Sequence, residues 1–270
     1  MKMQVGMFRT LLAKADRPAL GIFVKIPAFE VVEMVANAGF DFVVIDTEHA
    51  LLSVRDVYEM ITVYSRSGVV PLVRITDHGY GDGQRYLDAG AGGILVPHLS
   101  TADEAERTMR QFLFPPNGSR GMGAGGRANQ WGATPGGAAE YMRVGDEEVA
   151  RVAMIEEPEA VENIDGIISA PGVDALFVGP GDMSVSMGEP GGSPAVVEKV
   201  SDAIAAAVAA GIPVGTVAAP GDAMRMRIDQ GCSFIIATPN DTGLVWSAVS
   251  QNAKAARDVI ETTARAAARV

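Results

Sequence analysis

Cysteine is nearly absent from this sequence. The single Cys232 excludes an internal disulfide and a zinc site built from several thiolates, and a chain without disulfides is typical of a reducing compartment. Long apolar runs are also lacking, since none reaches the roughly 18 residues that a membrane-spanning helix needs. Basic residues are interspersed through residues 1–18 without a sustained apolar stretch, which is unlike a signal peptide. The sequence therefore predicts a cytoplasmic protein with no membrane partner.

Positively charged residues are also fewer than negatively charged ones. The chain has 22 Lys and Arg residues against 33 Asp and Glu residues, a net charge of −11. This excess of negative charge argues against nucleic acid or an anionic membrane surface as the main partner. A small anionic substrate remains compatible with it, because one arginine or one bound cation can reverse the field inside a pocket.

A pattern of short β-branched run, junction and helical stretch occurs eight times along the 270 residues. Strands are predicted at 19–25, 41–46, 70–75, 92–97, 151–156, 174–179, 213–218 and 232–237. Runs that are apolar along their whole length indicate parallel strands covered by helices. Eight such units predict an α/β protein made of one (β/α)8 TIM barrel over residues 1–270. An open Rossmann-like sheet is the alternative, but its glycine fingerprint is lacking.

Two segments interrupt the repeat. Residues 114–143 are rich in glycine and are predicted to form an insertion loop, either a flexible surface loop or a lid or arm that reaches a neighbouring subunit. Residues 240–270 are predicted to form an extra C-terminal helix that packs on a neighbouring subunit. Its apolar side comprises Leu244, Val245, Val249, Ala253, Ala256 and Ile260.

Ionisable residues follow the predicted strands at their carboxyl ends, which form the catalytic rim of such a barrel. They are Asp46, His49, Arg74, His98, Glu156 and Asp182. Any one of them alone would more often serve structure than catalysis. Their convergence from five strands predicts an active site.

Two of these residues are candidate metal ligands. Glu156 and Asp182 offer hard oxygen atoms from neighbouring strands, which suits Mg²⁺ or Mn²⁺, with Co²⁺ also open. Glu156 is preferred to the adjacent Glu157 because it continues the inward alternation of its strand. An ion pair between Glu156 and an arginine is the structural alternative.

The remaining rim residues suit chemistry through an enolate. Arg74 is a planar cation for a carboxylate or enolate oxygen, and the imidazole of His49 could accept or return a proton, with Asp46 close enough to orient it. Lys25 also ends a strand and is the rival, since a class I aldolase uses a Schiff-base lysine. An ion pair between Lys25 and Glu30 is the simpler interpretation, because an imine leaves the two-carboxylate site unexplained.

Six motifs resemble those of one family over about residues 18–245. They are "GFDFVVIDTEHA", "PLVRI", "LDAGAGGILVPH", "FPPNGSRG", "AMIEEPEAVENID" and "VDALFVGPGDMS", and they resemble the HpcH/HpaI family of metal-dependent pyruvate aldolases. The resemblance implies a phosphoenolpyruvate/pyruvate-type barrel and a homohexamer, a trimer of dimers, with the last helix exchanged between subunits. It also implies cleavage of a 4-hydroxy-2-oxo acid to pyruvate and an aldehyde through a metal-stabilised pyruvate enolate.

The family's functional residues map onto this chain one by one. The resemblance implies His49 as the general base, Arg74 as the group that stabilises the enolate, and Glu156 and Asp182 as the metal ligands. It implies that Asp88 raises the basicity of the histidine. Asp88 precedes the fourth strand, so it can act on a rim only across a subunit interface.

Substrate contacts are expected at Met154, Gly179, Pro180, Gly181 and Val217, together with Arg74. Met154 stands where the family aldolases usually have glutamine, and Lys25 where a small residue is common. The "VPH" and "GPGD" motifs resemble the macrophomate-synthase-like branch, whose members decarboxylate oxaloacetate to the same enolate. An oxaloacetate decarboxylase and a non-catalytic barrel therefore remain as alternatives.

Overall fold

The centre of the protein is a closed barrel of eight parallel strands. A computed structural model describes residues 7–14 and 16–267. The strands follow one another around the barrel in sequence order, and the eighth pairs with the first. The predicted (β/α)8 fold is confirmed, and the open Rossmann-like alternative is wrong because the sheet closes. Among the described residues, no helix is both long enough and apolar enough to cross a membrane.

The strands coincide closely with the predicted segments. They are β1 (Ala19–Val24), β2 (Phe42–Asp46), β3 (Val70–Arg74), β4 (Gly93–Val96), β5 (Ala150–Ile155), β6 (Ala175–Val178), β7 (Val214–Ala218) and β8 (Phe234–Ala237).

Helices surround the barrel. They are α1 (Phe8–Lys14), α2 (Phe29–Ala36), α3 (Val54–Ser67), α4 (Tyr80–Ala89), α5 (Ala102–Met109), α6 (Gly137–Glu147), α7 (Pro158–Glu162), α8 (Ile164–Ser169), α9 (Pro180–Met187), α10 (Pro194–Ala209), α11 (Asp222–Asp229) and α12 (Asp241–Ala267). Their ends follow ordinary capping rules. Ser53 and Asp56 form a capping box at the start of α3, and Gly68, with φ of 83°, ends that helix in the left-handed conformation.

The amino end of the barrel is filled by aromatic rings. Phe8 of α1 lies edge-on to Phe42 and Phe234, with ring centroids 5.0 and 5.1 Å apart. The rings approach the neighbouring strands so closely that only glycine fits beside them. A Cβ at Gly21 would lie 2.3 Å from the Phe42 ring, and one at Gly215 would lie 2.2 Å from the Phe234 ring. Helix α1 therefore closes this end.

The glycine-rich segment differs in part from the predicted loop. Helix α6 begins at Gly137, inside the 114–143 segment, and the part before it has mostly irregular backbone. The segment packs under the amino ends of the strands, where Arg127 Nη1 donates to the carbonyl oxygen of Ala89 at 2.9 Å and Arg120 Nη2 binds Asp88 at 3.0 Å. It therefore does not cover the rim of its own barrel, and a lid over that rim is excluded.

Helix α12 extends beyond the last strand. Asp241 anchors its start, because its Oδ2 accepts the backbone N–H groups of Lys25 and Ile26, each at 2.9 Å. Large apolar side chains along the helix are exposed: Leu244, Val245, Trp246, Val249, Val259 and Ile260. The end of the predicted helix, residues 268–270, lies outside the described residues.

Candidate active site

Alternation along the strands delivers polar side chains to the carboxyl rim. In β2 the inward residues Phe42 and Val44 are followed by Asp46, and in β3 the equivalent position is Arg74. The parallel register of the two strands places Asp46 directly opposite Arg74. Glu156 continues the inward file of β5 in the same way. At the carboxyl ends of β2, β3 and β5, the inward residue is thus charged, whereas the inward residues before it are apolar.

Asp46 is the centre of one charge cluster. Its fully buried carboxylate receives Arg74 Nε at 3.0 Å and Nη2 at 2.8 Å, and Lys25 Nζ lies 3.0 Å away. Burial favours the neutral acid, but Arg74, the backbone N–H of His49 and Lys25 outweigh burial and hold the pKa of Asp46 below its ordinary value. Asp46 is therefore an ionised anchor for two cations.

Two contacts of this cluster differ from the sequence expectation. Asp46 reaches His49 through that residue's backbone N–H at 3.1 Å, so it shapes the loop and does not hold the ring directly. Lys25 pairs with Asp46 instead of Glu30. The reason is that Lys25 continues the inward file of β1 and therefore points across the barrel toward the neighbouring strand.

Glu48 belongs to the site, although it was not among the rim residues selected from the sequence. Its largely buried carboxylate lies 2.9 Å from Arg74 Nη1 and 3.2 Å from His98 Nε2. His49 Nε2 lies 3.8 Å from the same carboxylate, and the His49 side chain is 53% exposed. The only sequence signal for Glu48 was its spacing of two residues from Asp46.

His98 links Glu48 to the candidate metal ligands. It adopts a positive φ of 52°, and its backbone N–H donates to Glu156 Oε1 at 2.8 Å. Its Nδ1 lies 3.3 Å from both Glu156 and Glu157. Burial lowers the pKa of His98, but the three surrounding glutamates outweigh burial and raise that pKa above its ordinary value. From the sequence, His98 was expected at the rim, but no function was assigned to it.

One carboxylate oxygen of Glu156 has no partner in the described part of the chain. The residue is 1% exposed, and among the described residues its Oε2 has no hydrogen-bond partner. Burial raises the pKa of Glu156 to about 7; His98 opposes this shift, and the negative charges of Asp182 and Glu48 add to it. A cation beside Oε2 would relieve both the missing contact and the repulsion. The residues present therefore fit a hard divalent ion.

The first turn of α9 completes this side of the rim. Pro180 opens the helix and Asp182 lies in its first turn. A Cβ at Gly179 would lie 3.0 Å from Met154 Cε and 3.1 Å from Glu156 Cβ, whereas one at Gly181 would meet no atom within 4 Å. The backbone at Gly181 thus borders open space.

The other predicted substrate contacts lie in or near the barrel interior. Met154 is buried within it and Val217 is partly buried against the same core. Within the described residues, no three His, Cys, Asp or Glu side chains form a metal-binding group. The pair of Glu156 and Asp182 would leave the other coordination positions to water and substrate.

Asp88 lies at the opposite end of the barrel. It lies in the last turn of helix α4, where its Oδ1 accepts hydrogen bonds from Arg120 Nη2 at 3.0 Å and from the Tyr141 hydroxyl at 3.2 Å. The structure therefore does not bring Asp88 to His49 within one chain.

The rim carries more negative than permanently positive charge. Its carboxylates are Asp46, Glu48, Glu156, Glu157 and Asp182, and its permanent cations are Lys25 and Arg74. This imbalance favours a bound cation on the glutamate side, while Arg74 offers N–H donors to an anionic substrate on the other.

Comparison with known proteins identifies the family. The family model of the HpcH/HpaI aldolase/citrate lyase proteins matches residues 19–267. The chain belongs to this family.

Its relatives include aldolases by name. The pyruvate aldolase of Rhizobium etli is 33% identical over 237 residues, which cover 87% of this chain and 91% of that protein. The 4-hydroxy-2-oxovalerate aldolase of Rhodococcus jostii is 33% identical over 238 residues, covering 87% and 90%. Among solved structures, macrophomate synthase aligns with a TM-score of 0.81 and 25% identity over 95% of this chain and 93% of that one. Family and relatives together support an aldolase-type enzyme that acts on small molecules.

Proposed function

We propose that the protein is a metal-dependent class II pyruvate aldolase that reversibly cleaves a 4-hydroxy-2-oxo acid to pyruvate and an aldehyde. The observation that carries this proposal is the buried Glu156 carboxylate, whose Oε2 is unpartnered among the described residues, close to Asp182 and on the same rim as Arg74. The names of the relatives supply the reaction class.

Glu156 and Asp182 would hold the cation, with Mg²⁺ and Mn²⁺ as first candidates and Co²⁺ as the third. Such an ion polarises the 2-oxo group of the substrate and stabilises negative charge on its oxygen. The backbone of Gly179, Pro180 and Gly181 would border the bound acid, because the absence of a side chain at Gly181 leaves space there.

The chain's own residues would carry the proton transfers. The exposed imidazole of His49 accepts the proton of the 4-hydroxyl group, the C3–C4 bond breaks, and its electron pair remains on the pyruvate fragment as the enolate. The aldehyde leaves, and the proton is returned to C3. Arg74 uses the donors that Asp46 and Glu48 do not engage to stabilise the enolate oxygen.

Deuterium exchange into the methyl group of pyruvate tests this core without knowledge of the aldehyde. We expect NMR to show exchange with Mg²⁺ or Mn²⁺ and none after EDTA treatment. Exchange that persists in EDTA, and trapping of the protein with pyruvate and borohydride, would support a Lys25 imine instead. No exchange under either condition would contradict the proposal and favour a non-catalytic barrel.

Oxaloacetate decarboxylation is the second candidate, favoured by the similarity to macrophomate synthase. Decarboxylation needs no base for a hydroxyl group. A His49→Ala variant that loses aldol cleavage but keeps decarboxylation assigns the base role to His49. A wild-type enzyme that decarboxylates oxaloacetate and cleaves no 4-hydroxy-2-oxo acid would make the decarboxylase the main function.

We further propose a homo-oligomer, a hexamer in the family's pattern. The exposed apolar residues of α12 support burial against another copy, and Asp88 could reach a rim only on another copy. A monomeric mass by light scattering at working concentration would contradict this.

A further inference from the structure

Glu48 lies where the two halves of the rim meet. Its carboxylate is 9% exposed, with Oε2 2.9 Å from Arg74 Nη1 and Oε1 3.2 Å from His98 Nε2. Basic and acidic side chains alternate around this part of the rim, in the order Lys25, Asp46, Arg74, Glu48 and His98. Glu48 thus joins Arg74 to the side of the rim that carries the candidate metal ligands. The reaction proposed for the rim gives it no role.

Arg74 is restrained on two edges of its guanidinium group. Nε and Nη2 donate to the two oxygens of Asp46 at 3.0 and 2.8 Å, whereas Nη1 lies 2.9 Å from Glu48. The Phe23 ring covers one face, with its centroid 4.9 Å from Arg74 Cζ. A two-point contact along one edge still lets a guanidinium group pivot about that edge. Glu48 restrains the nitrogen that lies off this edge, so it limits the pivot.

The candidate base is the other group that Glu48 could serve, but the distances favour Arg74. His49 Nε2 lies 3.8 Å from the Glu48 carboxylate, which is beyond hydrogen-bond range, and its ring is exposed. The Arg74 side chain is closer and largely buried. Burial of the Glu48 carboxylate also requires a compensating positive charge, and Arg74 supplies a permanent one. Any effect of Glu48 on the reaction should therefore run through Arg74.

Small displacements of Arg74 should matter for turnover. A group that stabilises developing negative charge is effective when its donors are in place before the reaction. A misplacement of about 1 Å can lower a rate about 10²-fold. A carboxylate that holds Arg74 in one orientation would therefore contribute to turnover without touching the substrate.

We propose that Glu48 is a positioning residue, which orients the guanidinium group of Arg74 toward the enolate oxygen of the bound substrate. In this role it transfers no proton and binds no metal ion. The assignment rests on the function proposed for the rim, because Arg74 acts on an enolate only if that function is correct.

Deuterium exchange into the methyl group of pyruvate, followed by NMR on the full-length chain with Mg²⁺, tests this role. In Glu48→Ala, kcat for exchange should fall about tenfold to 10²-fold. KM for pyruvate should change much less, because the restraint matters most when negative charge develops. Affinity for Mg²⁺, measured by calorimetry, should stay close to the wild-type value, since Glu156 and Asp182 are unchanged. Unchanged exchange in Glu48→Ala overturns the proposal, as does a loss of Mg²⁺ affinity that accounts for the lower rate.

A double substitution shows whether Glu48 acts through Arg74. Glu48→Ala should slow exchange in the wild-type background but not in Arg74→Ala, where there is no guanidinium group to orient. Equal losses in both backgrounds mean that Glu48 supports the fold or another group, and they overturn the proposal. Glu48→Gln keeps the size of the side chain and an oxygen for Nη1, so it should lose less exchange than Glu48→Ala. It also repeats the cycle if Glu48→Ala does not fold.

Glu59→Ala is the matched control. Glu59 also pairs with an arginine, Arg55, but both are exposed on α3, so exchange should proceed as in the wild type. The result for the wild type separates this assignment from the function on which it rests. Wild-type exchange with equal losses in the two backgrounds removes Glu48 alone from the reaction. A wild type without metal-dependent exchange contradicts the aldolase function and this assignment together.

Discussion

The inward side chain near the amino end of β2 is Phe42, and four residues later, at the carboxyl end, it is Asp46. Phe42 packs edge-on against Phe8 and Phe234. Asp46 instead receives Arg74, Lys25 and two backbone N–H groups. The inward side chains of this one strand thus contribute to aromatic packing at one end of the barrel and to a cluster of charged residues at the other.

The inward side chains of the strands differ in chemistry at the two ends of the barrel. At the amino end, the aromatic rings contact each other on several sides and the barrel is closed. At the rim, Glu156 has an unpartnered oxygen in the described structure and a pKa raised to about 7. An unsatisfied buried polar group calls for a physical explanation, and a bound cation would supply one for Glu156. Substitutions at the two ends should therefore separate loss of stability from loss of turnover.

The largest expected effect is at the amino end. Phe8→Ala should lower the free energy of unfolding by about 3–5 kcal/mol, because it removes a fully buried ring between two others. Turnover per folded molecule should remain close to that of the wild type. Denaturant unfolding and an activity assay at low temperature measure the two quantities.

Phe8→Leu is the matched control for this substitution. It keeps most of the apolar volume, so its loss of stability should be clearly smaller. A Phe8→Ala variant with unchanged stability would contradict the description of α1 as the closure of the barrel. A variant that unfolds little but loses turnover would show that the two ends are coupled.

The fold was predictable because its signals are local. Eight apolar runs with helical segments between them specify parallel strands, and the alternation within 151–156 sufficed to choose Glu156 over Glu157 as the inward residue. The same alternation places Asp46, Arg74 and Lys25 at the rim. These positions follow from chain geometry without knowledge of neighbouring side chains.

The partners of these residues were not predictable in the same way. Lys25 could pair with Glu30 nearby in sequence or with Asp46 across the strands, and the register of β1 against β2 decides for Asp46. Glu48 and His98 meet only because the loops after two strands fold toward each other, and His98 does so with a positive φ. Loop conformations of this kind depend on tertiary contacts that no short pattern encodes.

Substitution of Arg74 tests the role of the charged rim in turnover. Arg74→Ala should reduce kcat for cleavage by about 10²–10³-fold, because it removes the cation that we propose faces the developing enolate. Metal binding, measured by calorimetry, should persist, since Glu156 and Asp182 are unchanged.

Arg74→Lys should recover only part of the lost turnover, because lysine cannot form the two-point contact with Asp46. Arg85→Ala on the exposed face of α4 is the control for loss of an arginine and should leave kcat unchanged. Unaltered turnover in Arg74→Ala would remove Arg74 from the reaction.

The smallest effect is expected for Ser53, which follows the loop after β2 and caps the start of helix α3. Ser53 Oγ accepts the backbone N–H of Asp56 at 3.2 Å at the start of α3, four residues after His49 in the sequence. Ser53→Ala should lower the unfolding free energy by about 1 kcal/mol and leave kcat nearly unchanged. Ser67→Ala, in the last turn of the same helix, is the matched control and should change stability less, because alanine suits a helix interior. If Ser53→Ala clearly reduces kcat of the folded protein, the cap also holds the His49 loop in place. The catalytic part of the rim then extends into the first turn of α3.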